Sequence, residues 1–186
     1  MNIGFALCGS FCTYEAVFPV MEQLAKNHNL IPILSPAAAQ TDTRFGTAEK
    51  NYDRILQICG KKPLTTLTEV EPIGPQRMLD ILVIAPCTGN TLAKLAHGIA
   101  DTAVTMAAKS HLRNGRPVLL GISTNDGLSG AAENIGKLLN RKNYYFVPFG
   151  QDDPFGKPCS LVAKFDKLPP ALRAAVEGYQ LQPLMV

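Results

Sequence analysis

The stretch that decides the fold is Ile81-Leu82-Val83-Ile84-Ala85-Pro86-Cys87-Thr88-Gly89-Asn90-Thr91. Its first five residues are all apolar, which is typical of a strand that is buried on both faces of a sheet. Pro86 has no backbone N–H to donate, so we expect the strand to end before it. Apolar residues then recur at helical spacing from Leu92 to Ile99. The stretch therefore predicts a strand, a short loop and a helix.

The same alternation continues on both sides of this unit. Strands are predicted over 3–8, 30–34, 118–122 and 144–147, and helices over about 13–28, 47–59, from a cap at Asp101 to Gly115, and around 135–139. Residues 61–78 hold at most a short strand near 65–67. Buried strands that alternate with helices predict a doubly wound parallel sheet, with three α/β/α layers of Rossmann-like or flavodoxin-like type.

Composition limits the class of protein. The chain has 186 residues, of which 46% are hydrophobic and 18% charged, with a net charge of +3. These values predict one domain over 1–186. No apolar run reaches the ~18 residues of a membrane span, and the basic residues are scattered, so neither a membrane nor a nucleic acid is expected. Five cysteines without a C-x-x-C pair or a signal peptide predict a reduced, cytoplasmic protein.

The segment from Pro148 onward differs from the rest of the chain. Five of the fourteen prolines lie between 148 and 170, followed by an Ala-rich helix candidate near 171–178. We expect this extension, about 148–186, to wrap the domain or a neighbouring protomer.

Small and hydroxyl residues follow four predicted strands. The loops read Cys-Gly-Ser-Phe-Cys-Thr (8–13), Ser-Pro-Ala-Ala-Ala (35–39), Pro-Cys-Thr-Gly-Asn-Thr (86–91) and Ser-Thr-Asn-Asp-Gly (123–127). In a doubly wound sheet, ligands bind beyond the carboxyl ends of the strands. Hydroxyls and free N–H groups at helix N-termini bind phosphate oxygens. Helix capping can explain any single loop, but four such loops together favour a phosphorylated ligand.

The loop after the first strand narrows the ligand further. Gly9 is followed by Phe11 and Thr13 without the further glycines of G-x-G-x-x-G, which disfavours NAD. The P-loop pattern G-x-x-x-x-G-K-[ST] does not occur in the sequence either, which disfavours NTP hydrolysis. Among phosphorylated ligands, a mononucleotide is therefore the one that these patterns leave favoured.

Residues 86–101 resemble the P-A-S-A-N-T signature of the homo-oligomeric flavin-containing cysteine decarboxylases, which bind FMN. The resemblance extends to Gly9-Ser10 and Ser35. It implies an FMN phosphate near Gly9, Ser10 and Ser35, an isoalloxazine ring against residues 85–91, and a homo-oligomer in multiples of three. The implied cofactor-binding residues are Gly9, Ser10, Phe11, Ser35, Ala85, Pro86, Thr88, Gly89, Asn90 and Thr91.

Within that family, the chain is similar to the B-subunit branch of dipicolinate synthases. The similar segments are 12–19, 43–46, 121–126 and 148–155. This resemblance implies a role in oxidising a dihydrodipicolinate-type precursor to dipicolinate during sporulation, with a small dicarboxylate as substrate. It also implies a partner, the A subunit, that carries a nicotinamide site, so either chain can be the one that performs the hydride chemistry.

The sequence departs from the decarboxylases at their catalytic positions. Where they carry an active-site His, this chain reads Glu71-Pro72-Ile73-Gly74, and of their P-x-M-N motif only Asn125 is kept in Ile122-Ser123-Thr124-Asn125. Their Cys-containing clamp has no counterpart. The catalytic base is therefore left unassigned. Two alternatives stay open, an FMN-dependent decarboxylase of a small thiol-containing acid and a non-catalytic assembly subunit with a vestigial flavin site.

Arg44 and Asn125 are the predicted substrate-binding residues. A guanidinium can bind a carboxylate through two hydrogen bonds, and the resemblance places the loop of Arg44 near the flavin. A surface arginine is the equally weighted alternative. Lys109, Arg113 and Arg116 could also meet a dianion, although their position at a helix end favours capping.

The remaining polar and sulfur-containing side chains have ordinary explanations. His28, His97 and His111 fall late in predicted helices and are expected to be surface residues that favour the helix dipole. Cys8, Cys12 and Cys87 are expected to be small packing residues near the site. Asp152-Asp153 reads as a solvated turn before Pro154, and no metal site is predicted.

Overall fold

The computed structural model describes all 186 residues, Met1–Val186, and a seven-stranded sheet forms its centre. The strands are β1 (Asn2–Leu7), β2 (Asn29–Leu34), β3 (Ile81–Cys87), β4 (Val118–Thr124), β5 (Tyr144–Phe146), β6 (Phe149–Gly150) and β7 (Leu161–Ala163). The first five pair in parallel in the order β2-β1-β3-β4-β5. This is the flavodoxin-like doubly wound order, so the predicted fold class is confirmed.

Two short antiparallel strands make the sheet mixed rather than wholly parallel. β7 pairs with the carboxyl end of β4, and β6 pairs with β7. Both strands come from the Pro-rich extension, which therefore packs on its own chain. With only two and three residues, they are too short to show a sequence period, so the sequence predicts the parallel strands but not this antiparallel addition.

Eight α-helices surround the sheet. They are α1 (Tyr14–Ala25), α2 (Pro36–Gln40), α3 (Ala48–Cys59), α4 (Leu67–Val70), α5 (Gly89–His97), α6 (Ala103–Leu112), α7 (Ala132–Leu139) and α8 (Leu168–Val176). The strand predicted near 65–67 was wrong. Thr66 instead forms a capping box with Glu69 and starts α4, and only Leu64 bridges to β2.

Two predicted element ends differ from the structure. β3 continues through Pro86 to Cys87, and its pairing with β4 becomes irregular between Ile84 and Cys87, where Pro86 has no N–H to donate. The cap of α6 is Thr102 rather than Asp101, since the Thr102 Oγ1 accepts a hydrogen bond of 3.2 Å from the N–H of Thr105. The Asp101 carboxylate instead binds the Lys94 ammonium at 2.8 Å.

The apolar core fills both faces of the sheet in one continuous cluster of 49 buried residues. The extension adds Phe149, Leu161, Leu168 and Leu172 to it. Burial of these apolar side chains stabilises the packing of residues 148–176 against the central sheet. None of the helices has both the length and the apolar composition to cross a bilayer.

His111 lies inside this core, which corrects the expectation of a surface residue. Its side chain is 0% exposed, and Nε2 lies 3.0 Å from the carbonyl oxygen of Pro117. Burial lowers the pKa of His111 to about 4, so the ring is neutral at pH 7. His97, at the end of α5, is exposed as predicted.

Candidate functional site

The carboxyl ends of β1, β3 and β4 open into a cleft of about 510 Å³. Its walls come from the loops after these three strands, from the loop before α3, and from the segment between β6 and β7. The lining residues are Gly9, Ser10, Phe11, Cys12, Thr43, Phe45, Thr88, Gly89, Asn90, Ser123, Thr124, Asn125, Asp152, Lys157, Ser160 and Val162. The cleft thus lies where ligands bind in open α/β sheets.

A second cavity of about 450 Å³, here called the side cavity, adjoins the cleft through Gly9, Thr88 and Asn90. The N-terminal ends of α2, α5 and α6 meet around it, because their cap residues Ser35, Thr88 and Thr102 all line it. Lys94 also lines this cavity. Helix N-termini present free N–H groups and partial positive charge, so the side cavity suits a phosphate.

A chain of hydroxyl hydrogen bonds fixes the loop after β3. The Thr88 hydroxyl donates to Thr91 Oγ1 at 3.2 Å, and the Thr91 hydroxyl donates to Cys8 Sγ at 3.3 Å. Burial raises the pKa of the Cys8 thiol to about 11, so this thiol stays protonated at neutral pH. The chain of groups is neutral and ties β1 to α5 without adding negative charge near the side cavity.

The loop after β1 is held from both sides. Ser10 Oγ lies 2.5 Å from Ser123 Oγ, which links the loops after β1 and β4. The Thr13 hydroxyl donates to the Ser10 carbonyl at 2.8 Å, and the Tyr14 hydroxyl donates to the Cys8 carbonyl at 3.1 Å. The backbone of the cleft wall is therefore preorganised by side chains of its own helix.

Gly89 permits a close approach between two walls of the cleft. A Cβ at this position would lie 2.7 Å from both Thr124 Oγ1 and Asp126 Oδ1, which are hydrogen-bonded to each other. A side chain here would force the Thr124 and Asp126 side chains, or the start of α5, to move. The same holds more weakly for Gly9, whose Cβ would lie 3.1 Å from Ala37 Cβ.

The extension supplies a charged pair to the cleft that the sequence analysis missed. Lys157 Nζ lies 3.2 Å from Asp152 Oδ2, and both residues line the cleft. The Ser160 hydroxyl and the Lys157 ammonium hold the pKa of the Asp152 carboxyl below its ordinary value. The interpretation of Asp152 as part of a solvated turn was therefore incomplete. This segment reaches the site because β7 pairs in antiparallel fashion with β4, and no local sequence pattern predicts that pairing.

Most of the predicted cofactor-binding residues come together. Six of them line the cleft, together with the predicted substrate-binding residue Asn125, while Ser35 and Thr91 line the side cavity; the six are Gly9, Ser10, Phe11, Thr88, Gly89 and Asn90. Ala85 and Pro86 are buried within β3 and line neither space. Their carbonyl and ring atoms contribute to the sheet instead, since the Pro86 carbonyl accepts from the Cys8 N–H at 3.2 Å.

Arg44 is near the cleft without lining it. Its side chain is exposed, and its guanidinium packs over the Phe45 ring, 4.9 Å from the ring centroid. Its neighbours Thr43 and Phe45 do line the cleft. Its role as a carboxylate ligand stays a prediction, and Lys157 is the cation that reaches the cleft itself.

Comparison with known sequences gives a family. The family model described as Flavoprotein matches residues 1–151. Over all 186 residues, the chain is 47% identical to the B subunit of dipicolinate synthase from Bacillus subtilis (strain 168), and the match covers 93% of that protein.

Solved structures agree with this result. The crystal structure of the dipicolinate synthase B subunit from Bacillus halodurans C is 44% identical, with a TM-score of 0.91 over 100% of this chain and 95% of that one. DmrB of Burkholderia xenovorans in complex with FMN, described as a cubic protein cage for redox transfer, is 20% identical, with a TM-score of 0.69 and 95% coverage of both chains. At this identity, DmrB shows a shared fold only.

Proposed function

The chain belongs to the Flavoprotein family, and from this premise we propose that it binds FMN and serves as the B subunit of a dipicolinate synthase. In this role it takes part, with a partner A subunit, in oxidising a dihydrodipicolinate-type precursor to dipicolinate during sporulation. The similarity to the B. subtilis protein supports the proposal, because it extends over the whole chain and nearly the whole relative. The residues of the cleft and side cavity supply the physical argument.

The observation that carries the proposal is the convergence of three helix N-termini on the side cavity. The caps Ser35, Thr88 and Thr102 surround a space next to the Gly9 backbone, and Lys94, whose ammonium is paired with Asp101, also lines it. A phosphate dianion needs this combination of neutral donors and positive potential. The adjoining cleft, with Phe11, Gly89 and Asn90 in its wall, has room for the ring. The residues therefore fit FMN.

When bound, FMN supplies a two-electron acceptor for a substrate that becomes aromatic. The chain's own residues hold the reactants in place. Ser10 and Ser123 offer paired hydroxyls on one wall, and the Asn125 amide lies on the same side of the cleft. Phe11 and Phe45 add apolar surface to the wall of the cleft.

The substrate carries two carboxylates, so its binding needs cations. Lys157 lines the cleft, and Arg44 follows a lining residue and packs on Phe45. Taking a carboxylate out of water without a partner costs several kcal/mol, whereas a charge-assisted hydrogen bond offsets that cost. Asp152 keeps the Lys157 ammonium at the cleft until a substrate carboxylate competes for it. We therefore assign Lys157, Arg44 and Asn125 to substrate binding.

The division of labour with the partner is part of the proposal. The resemblance implies a nicotinamide site on the partner, so this chain either accepts the hydride through FMN or positions the substrate for the partner. An assay of precursor turnover by this chain, by its partner and by the two together separates these cases. Turnover only when this chain is loaded with FMN assigns the chemistry to the flavin, and turnover that is indifferent to FMN assigns it to the partner.

A decarboxylase of a small thiol-containing acid is the second candidate, favoured by the Asn90-Thr91 motif at the cleft. The structure of residues 71–74 speaks against it. Here, where the decarboxylases carry their His, Gly74 packs on α6, with a position for Cβ only 2.7 Å from the Ser110 carbonyl oxygen, and no residue of this segment lines the cleft. Release of CO₂ from a cysteinyl acid would support this candidate over the synthase. An assembly protein without activity is the third case.

The proposal of FMN binding is tested by titrating apoprotein with FMN and following flavin fluorescence and the visible absorption spectrum. We expect saturable binding by the wild type and weaker binding by Asn90→Ala, because the Asn90 amide borders both the cleft and the side cavity. Asn140→Ala, at the exposed end of α7, is the matched control and should bind FMN like the wild type. Absence of binding by the wild type would falsify the proposal.

A further inference from the structure

A second concave surface, here called the basic pocket, lies at the edge of the sheet opposite the cleft. It has a volume of about 520 Å³ and forms where the C-terminal ends of α5 and α6 meet the amino end of β5. The cleft adjoins the carboxyl end of β4, which runs parallel to β5. The two spaces share no lining residue, so the basic pocket is separate from the proposed flavin site.

The basic pocket carries a strong excess of positive charge. Its charged lining residues are Lys109, Arg113, Arg141 and Lys142, with no Asp or Glu among them. None of these four cations forms an ion pair within the chain. The nearby Asp101 is already bound to Lys94 at 2.8 Å.

Helix dipoles balance only part of this charge. Arg141 caps α5 by donating to the carbonyls of Leu95 and Ala96 at 3.0 and 2.7 Å, which is an ordinary structural role. The ends of α5 and α6 together contribute roughly one negative charge, since each helix end is equivalent to about half a charge. About three positive charges therefore remain without a partner in a single concave surface.

Tyr144 provides the second, independent observation. It is 9% exposed, lines the basic pocket, and its hydroxyl has no hydrogen-bond partner in the chain. Burial raises the pKa of Tyr144 to about 12, so the hydroxyl keeps its proton and can donate it. The hydroxyl oxygen itself is not buried, so it reaches the pocket and can donate to an acceptor atom of a ligand.

We infer that the basic pocket binds a small organic dianion, whose charged groups are carboxylates or phosphates and whose body is apolar. The four cations attract the charged groups, the Tyr144 hydroxyl donates to one of them, and Leu95, Ile99 and Leu112 line the pocket with apolar surface. Its volume lies within the ~300–1,000 Å³ that is usual for small-molecule sites. This site is additional to the proposed FMN and substrate sites.

Isothermal titration calorimetry with pyridine-2,6-dicarboxylate and with inorganic phosphate tests the inference. The protein is used as purified, with and without added FMN, so that a failure of flavin binding leaves this measurement intact. The double variant Lys109→Ala/Arg113→Ala should raise the Kd about tenfold at low salt, and Tyr144→Phe about threefold to tenfold. The Kd of the wild type should also rise with ionic strength.

Two controls isolate the basic pocket from the cleft and from net charge. Lys26→Ala/Arg173→Ala removes the same two charges from exposed positions elsewhere and should leave the Kd unchanged. Lys157→Ala removes the cation of the cleft, so a binding event of the dicarboxylate that is lost in Lys157→Ala but kept in Lys109→Ala/Arg113→Ala belongs to the cleft and not to the basic pocket. Tighter binding of phosphate than of the dicarboxylate supports a phosphorylated ligand, and the reverse order supports a carboxylate.

Three results would overturn the inference. One is that neither probe binds the wild type, and another is that Lys109→Ala/Arg113→Ala and its control bind the probe with the same Kd. The third is a change in the number of protomers of this double variant by light scattering, since the basic pocket would then be a contact between copies of the chain. Tyr144→Phe keeps the ring in the core and remains informative if the double variant is unstable.

Discussion

Single side chains decide how the proposed dianionic substrate is held, and Lys157 and Arg44 differ in one physical respect. The ammonium of Lys157 is a point charge at the cleft, already paired with Asp152, whereas the guanidinium of Arg44 is planar and stacks on Phe45. The Lys157 ammonium can bind a substrate carboxylate by exchanging the Asp152 carboxylate for it. The Arg44 guanidinium must move away from the Phe45 ring to form two parallel hydrogen bonds with a carboxylate.

We expect both cations to matter for turnover by this chain reconstituted with its partner. Arg44→Lys should lower kcat/KM, and Arg44→Ala should lower it further, by about tenfold to a hundredfold if a bidentate charged hydrogen bond is lost. Lys157→Ala should lower kcat/KM by about tenfold. FMN affinity should hardly change in any of them, because none of these side chains lines the side cavity.

Lys164→Ala, an exposed position beyond β7, is the control and should keep wild-type kinetics. Wild-type kinetics for Arg44→Ala would make Arg44 a surface residue. Wild-type kinetics for Lys157→Ala as well would mean that the partner chain or backbone donors hold the dianion.

His111 predicts a pH dependence of folding. Its pKa is about 4 in the folded chain and ~6.5 when unfolded, so below pH ~6.5 the unfolded state binds a proton that the folded state does not. Stability is therefore fully present above pH ~6.5 and falls as the pH drops toward ~4, by roughly 3 kcal/mol. Urea unfolding at several pH values measures this slope.

A variant pair assigns that slope to one residue. His111→Gln should be less stable at neutral pH but should lose less free energy of unfolding than the wild type as the pH falls from ~6.5 to ~4. His97→Gln changes an exposed histidine on α5 and should keep the wild-type slope. An unchanged slope in His111→Gln would show that other groups dominate the acid response.

At the scale of elements, the start of α5 is the point on which the cleft depends. Gly89→Ala places a methyl group 2.7 Å from Thr124 Oγ1 and Asp126 Oδ1, so these hydrogen-bonded side chains or the start of α5 must shift. We expect weaker FMN binding and a loss of about 1 to 3 kcal/mol in free energy of unfolding, as for other overpacked sites. Fluorescence titration and urea unfolding measure the two effects.

Gly136→Ala is the matched change, because Gly136 is also helical but has no atom within 4 Å of its Cβ position. It should be neutral or raise the free energy of unfolding by up to ~1 kcal/mol, since Ala is the better helix former. Normal FMN binding by Gly89→Ala would mean that the walls of the cleft can separate without consequence.

Sequence periodicity predicts only those helices and strands that are long enough to show a repeating buried face. The five parallel strands and the longer helices are predictable because their buried faces repeat over several residues, as in Ile81–Ala85 and Leu92–Ile99. The pairing of β7 with β4 is not predictable from the sequence, because it involves only two residue pairs, too few to show a periodic pattern. Asp152 and Lys157 could therefore not be assigned to the site from the sequence. The loops at Gly9, Ser35 and Thr88 could be assigned to the site from the sequence, because the carboxyl ends of parallel strands meet at one edge of the sheet.

For the whole molecule, we expect a homo-oligomer, in the multiples of three that the family resemblance implies. Phe155 is 99% exposed in the segment between Asp152 and Lys157, and Phe45 is 51% exposed at the rim of the cleft. Large aromatic side chains that are left in water beside a cleft are typical of a surface that another chain covers. Closed symmetry would then place copies around shared sites.

Light scattering coupled to size exclusion measures the number of protomers with and without FMN. Phe155→Ser should weaken the assembly without loss of folding, because this side chain contributes nothing to the core. A monomer at micromolar concentration, with FMN present, would contradict the expectation and the idea of a site shared between protomers.

The late position of the Asp152–Lys157 segment in the chain has a consequence for biosynthesis. Every residue of the side cavity, from Gly9 to Thr102, is translated before this segment. A domain generally folds as a unit, and this chain has one continuous core to which Phe149, Leu161 and Leu168 of the extension belong. We therefore expect the phosphate-binding surface to form only after the ribosome has released the extension, so that flavin capture and competence for the substrate arise together once translation ends.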